Sequence, residues 1–156
     1  MIKDLQNGEY EITFTPSKKG KVELSVKYEG QEIKGSPLSS EIISFENISN
    51  LQQFFDSPKQ FGLLYDAKRD GYSSQIFHQR CDKAPSTITL VSLANGALFG
   101  GYNPTDWAGN DFKNVANAFL FLLTDGKGRA PKKYPLTNQT NAIYAYPAYG
   151  PIFGGG

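Results

Sequence analysis

The stretch TITLVSLANGALF, residues 87–99, decides the fold class of this chain. Thr87–Leu93 is rich in the β-branched and aliphatic side chains that favour strands. Asn95-Gly96 follows, and this dipeptide between two apolar runs is the strongest short-range signal of a β-hairpin. The sequence therefore predicts an antiparallel hairpin whose second strand begins at Ala97.

The sequence on either side of this hairpin has further strand patterns. On the C-terminal side, a continuous apolar run covers Ala118–Leu123, a basic loop with glycines covers Thr124–Lys133, and Asn141–Tyr146 is predicted to be another strand. On the N-terminal side, the apolar run Phe61–Tyr65 is predicted to be a buried strand. These segments together predict a mainly antiparallel β region.

Two segments have helical spacing instead. In residues 39–56 the apolar side chains recur with helical periodicity, and Ser49 with Gln52 fits a capping box that opens its second half. Ser73 or Ser74 is predicted to cap a second, short helix. The fold class that follows is mainly β with a few helices (α+β).

Residues 8–38 alternate apolar and polar side chains, which is typical of strands with one buried and one exposed face. Breaks in the alternation are predicted at Thr15–Gly20, Glu29-Gly30 and Gly35–Pro37. A sheet of only two or three such strands is marginally stable on its own. Because the pattern changes near residue 40, we predict two domains, residues 1–40 and 41–156.

Composition excludes several functional classes. Sixteen basic and fifteen acidic residues leave a net charge of +1, which gives no field that would attract nucleic acid or an anionic membrane. The apolar runs are shorter than the ~20 residues that span a bilayer, and the N-terminal residues lack the apolar core of a secretory signal. A single cysteine, Cys81, and a single histidine, His78, exclude a disulfide framework and a Cys-rich zinc module. We therefore predict a soluble, cytoplasmic protein.

The first segment resembles the closing strands of a filamin-type immunoglobulin repeat. The residues that carry the resemblance, in order, are Asn7–Pro16, Gly20-Lys21-Val22, Val26–Ile33 and Gly35-Ser36-Pro37. The first strands of such a repeat have no counterpart here. The resemblance thus implies a partial immunoglobulin-like β-hairpin that acts as a spacer or docking surface.

The second segment resembles the TLDc domain, in the form found in many protists. Its matching blocks, in order, are Leu63-Leu64-Tyr65, Arg69–Ser73, Phe77–Asp82, Phe99–Tyr102, Trp107, Asn117–Phe121 and Tyr149–Gly156. The resemblance implies an antiparallel β-sandwich of TLDc type over residues 41–156. Phe61-Gly62 departs from the family's usual Trp and polar residue. The family also continues past the final glycines, so we expect the domain to be incomplete at its C-terminus and the chain to be a fragment.

His78 and Cys81 are the first candidate site, since they lie three positions apart on a predicted helix and can form a thiol–imidazole pair. A nucleophilic site also needs an orienting group and an oxyanion site, and the sequence identifies neither. Buried cysteines commonly behave as small apolar residues, and the resemblance places both positions in a structural stretch of the family. The packing interpretation is therefore favoured.

Glycine-containing segments are the second group of candidates. Gly126–Lys133 is basic but lacks the glycine, lysine and serine spacing of a P-loop, so a solvated hairpin loop is favoured over a docking patch for an acidic partner. The clusters Phe99–Tyr102 and Gly150–Gly156 lack the dinucleotide-binding pattern. We predict that these glycines permit close packing of the backbone or form bulges in a bent sheet.

Aspartates and aromatic residues complete the candidates. The aspartates are expected to cap elements and close turns, while a glycosidase-type pair stays open because spatial separation decides it; they are Asp66, Asp70, Asp82, Asp106, Asp111 and Asp125. The aromatic residues are expected in the core where they lie in strands, with a recognition surface as the alternative; they are Tyr102, Trp107, Tyr144, Tyr146 and Tyr149. The sequence predicts no catalytic, cofactor-binding or metal-binding residue.

The functional hypothesis follows from the resemblance. TLDc domains are linked to oxidation resistance and, in several members, to binding of the vacuolar proton-pumping ATPase, so we predict a non-enzymatic module with a protein partner. The alternatives are a filamin-like cytoskeletal scaffold and a hydrolase that uses Cys81 and His78. We also expect the isolated chain to be unstable or to associate through strand edges exposed at either cut.

Overall fold

The structure is a computed structural model that describes residues 2–4, 6, 10–12, 20–25, 27–32, 36, 38–42 and 45–155. The chain forms two compact units, residues 1–53 and 54–156. Within the described ranges, thirteen strands and three helices are present, and every strand pair is antiparallel. The prediction of a mainly β protein with a few helices is confirmed.

The first unit consists of antiparallel strand pairs followed by one helix. Strand β1 (Ile2–Asp4) pairs with β2 (Tyr10–Ile12), β3 (Gly20–Leu24) with β6 (Leu38–Ile42), and β4 (Lys27–Tyr28) with β5 (Gln31–Glu32). Helix α1 covers Phe45–Gln52. Glu29 and Gly30 join β4 to β5 with φ angles of 49° and 84°, the positive values that a two-residue hairpin turn requires. The turn predicted there is confirmed, whereas Thr15–Lys19, Gly35 and Pro37 lie outside the described residues.

The prediction of helical structure over residues 39–56 is wrong at its start. Leu38–Ile42 forms strand β6, whose residues pair one by one with Gly20–Leu24, so long-range backbone pairing outweighs the local helical spacing. Ser49 and Gln52 also lie inside α1 and do not open a helix. The predicted capping box is therefore incorrect.

The second unit has two short helices and two sheets. Helix α2 covers Ala67–Asp70 and α3 covers Ser74–Cys81. The four-stranded sheet has the order β11-β10-β8-β7 and the three-stranded sheet the order β13-β12-β9. Their strands are β7 (Thr87–Ser92), β8 (Ala97–Asn103), β9 (Asp111–Lys113), β10 (Phe119–Asp125), β11 (Lys132–Pro135), β12 (Ile143–Ala145) and β13 (Ile152–Phe153).

The hairpin predicted from residues 87–99 is confirmed. The N–H of Leu93 donates to the carbonyl of Ala97 at 2.9 Å, so the loop contains Ala94, Asn95 and Gly96. Gly96 has a φ of 85°, as expected for a three-residue loop that ends in a left-handed residue. The side chain of Asn95 accepts the N–H of Ala97 at 3.0 Å and closes the turn.

The prediction of a buried strand at Phe61–Tyr65 is wrong. This segment has no regular secondary structure, and the side chain of Leu63 is 65% exposed. Phe61 contacts Phe55, with ring centroids 6.2 Å apart, but the backbone of the segment pairs with none of the described strands. An apolar run without a neighbouring strand cannot satisfy its backbone in a sheet.

The core of the second unit lies where α3 meets the three-stranded sheet. Its buried residues are Phe77, Cys81, Trp107, Ala118, Ala142 and Ile143. Trp107 is 1% exposed, and its indole Nε1–H donates to Oγ1 of Thr87 at 2.8 Å. The ring of Trp107 also packs edge-on against Phe153 of β13, so this tryptophan connects both sheets.

Strand β10 has apolar residues on both of its faces. Phe119, Phe121 and Leu123 are buried, and rings of Phe54 and Phe55 cover this side. Leu120 and Leu122 point to the opposite face, as alternation along a strand requires. The sheet thus has a covered face and a second apolar face.

Candidate functional site

The second face of the four-stranded sheet is apolar and open. Directly paired residues of antiparallel strands lie on the same face, so Leu120 groups with Gly101 and Tyr134, and Leu122 groups with Phe99. The side chain of Leu120 is 47% exposed. Exposed apolar residues that adjoin one another in this way mark interaction surfaces more often than scattered ones do.

This face contains a trough with a volume of about 710 Å³. Gly100 and Gly101 form part of its floor, while Val91 and Leu120 stand on neighbouring strands. A Cβ atom at Gly101 would lie 2.6 Å from the ring of Phe153, so the missing side chain makes room for that ring. We name this surface the open trough.

The basic hairpin loop lies next to the trough and is organised by its own aspartate. The carboxylate of Asp125 accepts the backbone N–H groups of Lys127 at 2.8 Å and Arg129 at 3.0 Å. These two hydrogen bonds lower the pKa of Asp125, and the bond from the N–H of Arg129 has the larger effect. Because these amides are already engaged, they cannot form a phosphate cradle. The favoured interpretation of a solvated hairpin loop agrees with this geometry.

The basic side chains of this hairpin have different environments. Nζ of Lys133 donates to the carbonyl of Phe54 at 2.8 Å and lies 4.3 Å from the ring centroid of Phe119, on the covered face. Lys132 pairs with Leu122 and therefore lies on the trough side. The guanidinium of Arg129, 68% exposed, lines the trough and lies 3.5 Å from Asp125. Arg129 and Lys132 thus place positive charge beside an apolar surface.

Cys81 and His78 do not form the geometry of a catalytic pair. Cys81 is 4% exposed, and burial raises the pKa of its thiol, which disfavours the reactive thiolate. Nδ1 of His78 lies 2.7 Å from Asp82, and Nε2 lies 2.9 Å from the carbonyl oxygen of Tyr149. Both ring nitrogens are thus engaged: Nδ1 contacts the C-cap residue of α3, and Nε2 ties α3 to the segment after β12.

The predicted capping and turn roles of the aspartates are visible at three positions. Asp66 caps α2 by accepting the N–H of Lys68 at 2.9 Å. Asp106 accepts the N–H of Ala108 at 2.9 Å and Nζ of Lys113 at 2.8 Å, and the lysine lowers the pKa of the carboxyl group. Asp125 organises the basic loop as described above.

Asp70 has a role that the sequence does not reveal. Its carboxylate accepts two hydrogen bonds from Arg69, at 2.9 and 2.7 Å, and one from the N–H of Asp66 at 3.0 Å. Arg80 of α3 lies 3.4 Å away. The Arg69 side chain above all holds the pKa of Asp70 far below its usual range. This cluster connects α2 to α3.

The aromatic residues divide between core and surface. Trp107 is in the core, Tyr102 of β8 and Tyr144 of β12 are half-buried, and Tyr146 and Tyr149, which lie outside the strands, are exposed. Tyr144 contacts Phe112 and stacks with Tyr146, with ring centroids 4.5 and 5.8 Å apart. A second hollow of about 470 Å³ lies beside Tyr149.

The described part of the chain contains no group of three His, Cys, Asp or Glu residues that could hold a metal ion. The helices in that part are too short or too polar to cross a bilayer. Some glycines of the two clusters permit close packing: a Cβ at Gly100 would overlap the carbonyl oxygen of Thr89, and one at Gly155 would lie 2.6 Å from the ring of Phe112. Gly150 and Gly154 have nothing within 4 Å of a Cβ, so close approach does not explain them.

Sequence reasoning missed the residues of the open trough. The signal was present, because Ala118–Leu123 is apolar at every position and so indicates a strand with two apolar faces. Which face lacks a cover depends on contacts from distant residues, which the local pattern does not contain.

Comparisons with known proteins agree with both resemblances. A family model described as the TLDc domain matches residues 36–156, and a model described as the Filamin/ABP280 repeat matches residues 1–39. Searches of curated proteins and of solved structures found no match.

Proposed function

Since this chain belongs to the TLDc domain family, we propose that it is a non-enzymatic module that binds a protein partner. The observation that carries the proposal is the open trough, a contiguous apolar surface with Leu120 47% exposed. Contiguous exposed apolar surfaces are more typical of docking sites than scattered apolar residues are. The module is proposed to act in the cytoplasm and without a catalytic, cofactor-binding or metal-binding residue.

A more specific role follows from the family. We propose that the partner is the vacuolar proton-pumping ATPase, or that the module supports resistance to oxidative stress. The support for both is the family membership alone, which covers residues 36–156.

The test is a pull-down with the full-length protein from a matching lysate, together with a survival assay under peroxide. We expect pump subunits in the bound fraction, or reduced survival of cells without the protein. Recovery of no specific partner would count against a binding module, and recovery of other proteins alone would count against the pump. A fluorescent fusion of the full-length protein tests the cytoplasmic location.

A filamin-like scaffold is a second candidate, and the match of residues 1–39 to the Filamin/ABP280 repeat favours it. In that case cytoskeletal proteins would dominate the bound fraction. The hydrolase alternative predicts a turnover that Cys81→Ala abolishes in a folded protein. The engaged nitrogens of His78 speak against that alternative.

A further inference from the structure

We infer that the open trough binds a segment of a partner protein in which large apolar side chains are flanked by Asp or Glu. The inference rests on the proposed function and names the chemistry of the partner and the surface that takes it. Two independent features of the surface support the inference: the shape of its apolar part and the charge at its rim.

The shape of the open trough suits large apolar side chains. Phe153 already shows the mode of packing, since its ring lies against Gly101 where a side chain is missing. Phe99 of β8 and Leu122 of β10 form a directly paired set of side chains on the same face, two positions along the strands from Gly101 and Leu120. The trough of about 710 Å³ has room for several apolar side chains of a partner.

The charge at the rim is positive. Arg129 lines the trough, and Lys132 lies on the same side of β11, with its ammonium 5.0 Å from the ring centroid of Tyr134. The carboxylate of Asp125 accepts the loop's own N–H groups and lies 3.5 Å from Arg129, so it offsets one of these two positive charges and leaves a net charge of +1 at the rim. Acidic groups on a partner would therefore find complementary charge beside the apolar surface.

The same charges disfavour a second copy of this chain as the occupant. A symmetric dimer through this face would be isologous, so each patch would meet its own equivalent. Arg129 and Lys132 of the two copies would then approach each other, and like charges at an interface oppose association. An acidic segment of another protein fits both features.

The experiment measures fluorescence anisotropy of two labelled synthetic peptides added to the full chain. Both carry the same Phe and Leu residues, one flanked by Glu and the other by Lys. We expect the Glu-flanked peptide to bind at least about tenfold more tightly, because opposite charges meet at the rim. Raising the salt concentration should reduce this difference.

Two variants locate the binding on the trough. Leu120→Lys places a charge on the apolar surface, and Arg129→Glu reverses the rim charge; each should weaken binding of the Glu-flanked peptide by about tenfold or more. The matched controls are Leu63→Lys, at another exposed leucine, and Lys83→Glu, at an exposed lysine in another part of the unit. Both controls should bind as the unchanged chain does, and thermal melts check that all four variants fold.

Equal binding of the two peptides, or binding that survives Leu120→Lys in a folded protein, would overturn the inference. So would a dimer in sedimentation that Leu120→Lys dissociates, since a second copy would then occupy the face. The proposed function is judged separately by the pull-down. If both trough variants still capture the partner, the inference fails and the binding module stands; if the unchanged protein captures none, the module fails.

Discussion

Trp107 connects the two sheets of the second unit through one ring. Its indole N–H donates to Thr87 of β7, and its ring makes a T-shaped contact with Phe153 of β13. A buried donor is costly to leave without an acceptor, so this contact depends on the hydroxyl at position 87. Trp107, which lies outside the strands, is thus a central part of the core.

We expect Thr87→Val to lower the free energy of unfolding by about 1–3 kcal/mol, because the indole N–H of Trp107 would lose its acceptor in a buried site. Urea denaturation measures the change. Thr89→Val, on the same face of β7, is the matched control and should change stability by less than about 0.5 kcal/mol. Equal effects of both variants would show that the hydrogen bond contributes nothing.

Asp70 makes stability depend on pH. Arg69 lowers its pKa in the folded chain relative to the unfolded chain, so the stabilisation is complete well above the usual carboxyl pKa of about 3.9 and is lost as pH falls below it. We expect Asp70→Asn to be less stable than the unchanged chain at pH 7, with a difference that shrinks on acidification. Chemical denaturation from pH 7 to acid measures this.

The exposed carboxylate of Asp56 supplies the control, since Asp56→Asn makes the same change of side chain at the surface and should leave the stability at pH 7 nearly unchanged. A stability difference for Asp70→Asn that stays constant with pH would contradict an ionic role for Asp70.

Strand β8 depends on two adjacent glycines, and each serves a different neighbour. Gly100 lies against the carbonyl of Thr89 in β7, and Gly101 lies against the ring of Phe153. In both cases the close approach leaves no space for a Cβ. The packing of β8 therefore depends on the absence of side chains at these two positions, which propensity scales for strands do not capture.

We expect Gly100→Ala to destabilise the chain by about 3 kcal/mol or more, because the new Cβ would force β7 and β8 apart. Gly62→Ala is the matched control, since nothing lies within 4 Å of a Cβ at that position. Urea denaturation should show the control to be neutral. A Gly100→Ala protein with unchanged stability would mean that the β7–β8 pairing relaxes without cost.

The edges of the four-stranded sheet differ in their protection. Edge strand β11 carries Lys132, Lys133 and Pro135, which discourage pairing with another chain. Edge strand β7 has the sequence TITLVS, with neither charge nor proline. Of the two edges of this sheet, β7 is therefore the one through which self-association should start.

We therefore expect light scattering to rise during a thermal melt of this chain and to increase with concentration. Val91→Lys, which adds a charge to β7, should suppress the scattering. A version of the chain extended at both ends tests whether additional sequence protects the edge. A sharp melt that is independent of concentration would contradict self-association.

The domain boundary remains a prediction, and we propose residues 1–40 and 41–156. Helix α1 lies between this boundary and the start of the second unit at residue 54, and its Leu51 is 4% exposed. If the domain begins at residue 41, a version of residues 41–156 should melt at least about 4 °C higher than one of residues 54–156, which would lack part of the domain. Equal melting temperatures would favour a boundary at residue 53.

Much of the local structure could be predicted, and the errors have a common cause. The turns at Glu29-Gly30 and Asn95-Gly96 and the strand within Ala118–Leu123 follow from adjacent residues. Leu38–Ile42 and Phe61–Tyr65 were predicted wrongly, because a strand forms only where another segment supplies its backbone partners. Of the site, the basic loop could be predicted but the trough could not.

The amino-acid order alone determines the positions of turns, the period of each segment and the apolar character of both faces of β10, because steric limits on φ and side-chain alternation act between neighbours in sequence. Tertiary structure decides which of those faces is covered. Phe54 and Phe55 contact one face, while Phe153 reaches only part of the other. The open trough exists because burial depends on which distant residues arrive at a surface.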